Sequence, residues 1–305
     1  MKRFSSIAAL AALLLTSAAC GDDSSSTKDT ASTNPDTVQA VTSEPPADVP
    51  VAIVSLSPTA TEMVFAIGAG DQVIAVDDYS NFPAEALDKP HDLSGYEPSV
   101  EAIAALKPDL VLLSDSGVQA QLEALGIAVW VGSAAATFDD VYAQIEQLGA
   151  ATGHVGEAAE LVGRMQTGIT AIVASVPKSD KKFTYFHELD NTLYTATSAT
   201  FIGAVYGAFG LENIADAADP DATGYPQLSA EYVIQANPDL IFLADGSFGE
   251  SAETVAARPG WGSISAVVAD GVFVVDDGIA SRWGPRVVDY LQLVADALIA
   301  VSAKV

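Results

Sequence analysis

Residues 99–115 read SVEAIAALKPDLVLLSD, and residues 229–245 read SAEYVIQANPDLIFLAD. In both stretches a Ser precedes an apolar-patterned segment, a Glu stands two residues further on, and Pro-Asp-Leu begins seven residues after that Glu. A Ser before the first apolar turn is a helix N-cap, a Pro ends the helix, and the bounded apolar run that follows is a buried strand. The same helix–turn–strand unit therefore occurs twice, in two lobes that are structural counterparts. Each lobe offers one Glu, Glu101 or Glu231, in a first helical turn, where the dipole and the free amides favour a carboxylate.

Working outward, strands are expected at Val51–Leu56, Val73–Val76, Leu110–Leu113 and Ile127–Val131, with helices at Thr59–Ile67, Val100–Leu106, Val118–Leu125 and Phe138–Ala151. Ser57-Pro58 supplies an N-cap followed by Pro at the first helical position. A second series begins after Lys181: strand Phe183–Phe186, helices Phe201–Phe209 and Ala230–Ala236, strands Leu240–Leu243 and Val272–Val275, and a closing helix from Pro285 to Val301. Alternation of strand and helix implies mainly parallel sheets covered on both faces. Between the series, Ala158, Leu161, Val162, Met165, Ile169, Ile172 and Val173 recur at helical spacing until Pro177. That helix, roughly 30 Å long, is long enough to join two lobes side by side. The fold class is thus α/β: two Rossmann-like lobes joined by one long interlobe helix. The expected boundaries are an N-terminal lobe at 51–152, a connecting helix at 153–177 and a C-terminal lobe at 178–305.

The start of the chain has a different character. Lys2 and Arg3, an apolar run from Ile7 to Leu15 and the small residues 16–19 have the layout of a secretory signal over residues 1–19. Cys20, the only cysteine of the chain, stands where a lipobox places the residue that is acylated after cleavage. Residues 21–50 are rich in Ser, Thr, Asp and Pro and poor in large apolar groups. They cannot bury enough surface to offset chain entropy, so residues 20–50 are expected to be a disordered tether, roughly 30 Å across as a coil.

Charge and missing motifs narrow the function. Forty acidic residues against thirteen basic ones give a net charge of −27, a field that repels nucleic acid and anionic lipid surfaces. The sequence has no HExxH, no GxSxG, no Walker loop and no GxGxxG after a strand, so it offers no signature of an enzyme or of an intrinsic cofactor. With three His and no His-rich loop, a zinc- or manganese-binding importer component is an alternative without strong support.

The stretches IVSLSPTATEMVFAIGAGDQVIAVDDYSNFP (53–83), EPSVEAIAALKPDLVLLSD (97–115) and SRWGPR (281–286) resemble the helical-backbone, class III binding proteins of the cobalamin and ferric siderophore ABC importer family, across nearly all of residues 51–305. The resemblance implies an extracytoplasmic lipoprotein, a monomer anchored to the outer face of the cytoplasmic membrane. It would hold a cobalt or iron complex between its lobes and deliver it to a permease dimer with its ATPase. Glu101 and Glu231 would then dock on arginines of the two permease subunits. Aromatics at the family's cleft positions fall at or near Tyr79, Tyr96, Phe186 and Tyr225. To these, Trp283, Arg282, Arg286 and His187 are added as candidate ligand contacts, His187 as a conceivable axial ligand. Scarce bases favour a neutral corrinoid or a neutral to cationic hydroxamate chelate over haem or an anionic catecholate.

Overall fold

The computed structural model describes residues 49–304, so the signal, Cys20 and all but the last two residues of the tether lie outside the described residues. The first lobe runs β1 (Ile53–Leu56), α1 (Pro58–Ala66), β2 (Val73–Val76), α2 (Val100–Ala105), β3 (Leu110–Leu113), α3 (Gln119–Ala124), β4 (Ala128–Val131) and α4 (Phe138–Thr152). The long α5 (Val155–Ser175) leads into the second lobe: β5 (Thr184–Glu188), α6 (Phe201–Gly207), β6 (Glu212–Asn213), α7 (Ala230–Ala236), β7 (Leu240–Leu243), α8 (Ala252–Ala257), α9 (Ser265–Val268), β8 (Val272–Val274), α10 (Asp277–Ala280) and α11 (Val287–Ser302).

The two sheets repeat one topology. Their strand orders are β2-β1-β3-β4 and β6-β5-β7-β8, and every pairing is parallel. The echoed units fold alike: Ser99 Oγ accepts from the Ala102 amide and Ser229 Oγ from the Tyr232 amide. Each caps a short helix that feeds the central strand of its sheet, β3 or β7. Both Pro-Asp carboxylates also act as clasps. Asp109 accepts from the amides of Val51 and Ala52, and Asp239 from the amide of Thr184, fixing the start of the neighbouring strand.

Alternate strand residues serve different cores, which is why the strands read as continuous apolar runs. Leu110, Leu112, Leu240 and Phe242 face one cluster, continuous from lobe to lobe, that also contains Leu161, Val162 and Met165 of α5 and Val287, Tyr290 and Leu291 of α11. Val111 and Leu113 pack on the outer layer of the first lobe, and Ile241 and Leu243 on that of the second. Helix α5 packs on α4 of one lobe and α11 of the other.

Some expectations are corrected. Strand β5 begins after Phe183 and runs through His187 and Glu188, because both pair with β7, opposite Phe242 and Leu243. The first strand starts at Ile53 rather than Val51, whose amide is held by Asp109. Strand β6 was not expected, since two polar residues carry no periodicity.

Candidate ligand cleft

The carboxyl edges of the two sheets converge. Phe138, which opens α4 after β4, meets Phe201, which opens α6 after β5, edge to face at 5.7 Å between ring centroids. The turn between α10 and α11 reaches the loop after β2: Arg282 Nη1 donates to Asn81 Oδ1 at 2.9 Å and its Nη2 to the Tyr79 carbonyl at 2.9 Å. Trp283 Nε1 donates to Gln144 Oε1 on α4 at 3.0 Å. A crevice outside the carboxyl ends of parallel strands is the general ligand position of open α/β sheets, and here two such edges face each other.

Of the expected cleft residues, Tyr79, Tyr96 and Tyr225 stand on loops at these edges and are 63%, 88% and 50% exposed. Phe186 does not line the cleft. It is fully buried in β5 and packs edge to face against Trp261. The preceding Tyr185 faces the interlobe core, so alternation along the strand turns Phe186 to the outer layer. His187 is also sealed in. Its Nδ1 is hydrogen-bonded with Tyr206 Oη at 2.8 Å, and Tyr290 Oη donates to Tyr206 Oη at 2.7 Å. Burial lowers the His187 pKa to about 3, so the imidazole is neutral and has no open face for an axial bond.

Arg282 and Arg286 are likewise turned inward. Both donate to Glu62, a buried residue of α1: Arg282 Nη1 at 3.0 Å and Arg286 Nε at 2.9 Å. Arg286 also lies over the Phe82 ring at 4.2 Å and donates to the Gly278 carbonyl. The hydrogen bond to Glu62 raises the Arg286 pKa despite its burial. These arginines are interlobe anchors rather than free ligand donors, and Trp283 with its Gln144 bond joins them. The missed partner, Glu62, had a signal: an acid inside the apolar helix PTATEMVFA requires a cation when that face is buried.

A second ion cluster, also missed, lies within the second lobe. Arg258 donates through Nη1 and Nη2 to the two oxygens of Glu188, at 2.6 and 2.5 Å, and through Nη2 to Glu250 Oε2 at 2.7 Å. Its guanidinium stacks 4.7 Å over Trp261. Burial pushes the Glu188 carboxyl up to about 7, against the pull of Arg258; the forked geometry is that of an ion pair. The two clusters have opposite patterns, two cations on one acid in the first and two acids on one cation in the second. Of the four arginines among the described residues, only Arg164 lies away from them, on α5. Tyr194, 44% exposed and bridged through its backbone to Gln227, adds an aromatic beside Tyr225 that sequence reading did not single out.

Glu101 and Glu231 are exposed on matching helices. Among the described residues, no three His, Cys, Asp or Glu side chains come together as a metal site, and no helix is long and apolar enough to cross a membrane.

The model of the periplasmic binding protein family matches residues 53–278. The chain belongs to the periplasmic binding protein family. Its members bind and hand over substrates rather than catalyse, and the two-lobed architecture is that of the class III proteins. An uncharacterised ABC transporter substrate-binding lipoprotein of Bacillus subtilis, YvrC, is 32% identical over 259 residues, 82% of this chain and 80% of its own. A cobalamin-binding protein of Halobacterium salinarum is 31% identical over 260 residues, 81% of this chain and 69% of its own. Among solved structures, the periplasmic vitamin B12 binding protein BtuF of Vibrio cholerae superposes with a TM-score of 0.68 at 26% identity, covering 83% of this chain and 98% of that one. The chain is accordingly a substrate-binding component of an ABC transporter.

Proposed function

We propose that this periplasmic binding protein captures an uncharged metal complex, cobalamin before a ferric hydroxamate, in the cleft between its lobes. It is held by lipid at Cys20 on the outer face of the cytoplasmic membrane. As a monomer it delivers the complex to a permease dimer and its ATPase, docking through Glu101 and Glu231.

The observation that carries the ligand class is the fate of the arginines. Arg258, Arg282 and Arg286 are committed to Glu188, Glu250 and Glu62, while Tyr79, Tyr96, Tyr194 and Tyr225 keep exposed rings at the cleft edges. Anionic haem propionates or ferric catecholates need unpaired guanidinium or ammonium donors. A broad macrocycle with apolar faces and neutral amides needs aromatic area, which rigid rings supply at small entropic cost. The cobalamin-binding relative from Halobacterium salinarum supports the same choice.

The test is titration of the protein lacking residues 1–20 with cyanocobalamin, ferrichrome, haemin and zinc ion, read by Trp fluorescence and calorimetry. Saturable one-to-one binding of cyanocobalamin supports the reading. Binding of haemin or zinc ion alone overturns it.

A further inference from the structure

The duplication lets the two lobes be compared element by element. The loop from β3 to α3 spans residues 114–118 and ends on Val118, whereas that from β7 to α8 spans residues 244–251, is three residues longer and carries Phe248. Val118 is tucked against the outer core of its lobe. Phe248 is 84% exposed. The counterpart loop of the first lobe carries no exposed large apolar side chain, and a solvated Phe ring forgoes the stabilisation that burial would give it.

The loop that carries Phe248 is firmly held. The Phe248 amide donates to the Asp245 carbonyl, and Gly249, at φ 101°, returns its amide to the Gly246 carbonyl. Two residues beyond Phe248, Glu250 is bound by Arg258, which is forked onto Glu188 at the carboxyl end of β5. The loop thus stands at the carboxyl edge of the second sheet, tied at its base to the neighbouring strand. Asp245 and Glu250 stand on the same loop, Asp190 interacts electrostatically with Asp245, and the Arg258 cation is already engaged by carboxylates.

We infer that Phe248 is a ligand-contacting and specificity-determining residue: it supplies an aromatic wall to the cleft, over which an apolar, uncharged part of the ligand lies, with anionic groups kept away by the carboxylates around it. This rests on the proposed cleft function and adds a residue that the family resemblance did not supply.

The experiment uses cyanocobalamin as the probe and compares wild type, Phe248→Ala and Phe248→Tyr by calorimetry, thermal melting and cellular uptake. Loss of one ring contact weakens binding by at least about fivefold. The expected result is that loss in Phe248→Ala, recovery in Phe248→Tyr, and one Tm for all three proteins, since the ring packs on little of the protein. An unchanged Kd in Phe248→Ala overturns the inference, and so does a defect in uptake without a defect in affinity, which would mark Phe248 as a permease contact. If wild type itself does not bind cyanocobalamin, the cleft reading falls together with it; if wild type binds and Phe248→Ala binds equally, only the role of Phe248 falls.

Discussion

Glu62 and Arg286, 224 residues apart in sequence, are joined by a 2.9 Å hydrogen bond from Arg286 Nε to Glu62 Oε2 across the two lobes. Arg282 adds a second bond to the same carboxylate. A buried acid between two guanidinium groups costs desolvation that only this geometry offsets.

Removing the acid should therefore be worse than removing an ordinary ion pair. Glu62→Ala leaves two cations unpaired and is expected to cost about 3–5 kcal/mol, read from the urea midpoint. A loss below about 1 kcal/mol would mean that the cluster behaves as a surface pair. Because this clasp and the stiff α5 both restrain the lobes, small-angle scattering of wild type should change little on adding ligand; a large compaction would contradict this.

His187 makes stability depend on pH. Its folded pKa, about 3, lies below the ordinary value of 6.5, so the unfolded chain takes up the proton first. The contribution is intact above pH 6.5 and is lost as pH falls from there toward 3, with a slope of up to about 1.4 kcal/mol per pH unit. Glu188 acts in the opposite sense between its ordinary 4.5 and about 7, so the wild-type curve alone mixes the two. The difference between wild type and His187→Gln isolates the imidazole: the variant should lack this acid slope, and parallel curves for the two proteins would refute the assignment.

Glu101→Ala combined with Glu231→Ala should abolish cobalamin uptake while leaving affinity unchanged and stability within about 1 kcal/mol per site. Both residues are exposed first-turn acids without a fold-critical partner in their capping, which Ser99 and Ser229 perform. Loss of affinity in the double variant would assign the pair to the cleft instead.

Two glycines should respond in opposite directions. A Cβ on Gly203 in α6 would lie 2.3 Å from the Thr197 carbonyl oxygen and 2.4 Å from Ser198 Cα, so Gly203→Ala must displace backbone and should cost about 1–3 kcal/mol or more. Gly163, inside α5, meets nothing within 4 Å. Gly163→Ala should stabilise by up to about 1 kcal/mol. Thermal melts of the two variants provide the comparison.

Much of the fold was legible because its signals are local. The Ser caps, the Pro-Asp-Leu turns and the continuous apolar strands lie within a few residues of one another, and their repetition at Ser99 and Ser229 predicted two lobes of one design. The period of Ala158, Leu161, Val162 and Met165 likewise marked the connecting helix. Less of the site was legible. Tyr79, Tyr96, Phe186, His187 and Tyr225 all read alike as ligand contacts, and Phe186 and His187 could be told apart as buried only once β5 was seen to continue to Glu188. Arg282 and Arg286 read as free cations because the acid that engages them lies more than two hundred residues away.

The sequence by itself thus determined the α/β class, the duplication, the placement of Glu101 and Glu231 and the acidic balance of the chain, since each depends on composition or short-range pattern. Only the tertiary structure decided which charges are spent and which rings are free. A guanidinium is committed by a carboxylate within about 3 Å, and a ring is exposed by what fails to pack on it; both are distances in space that chain spacing does not encode.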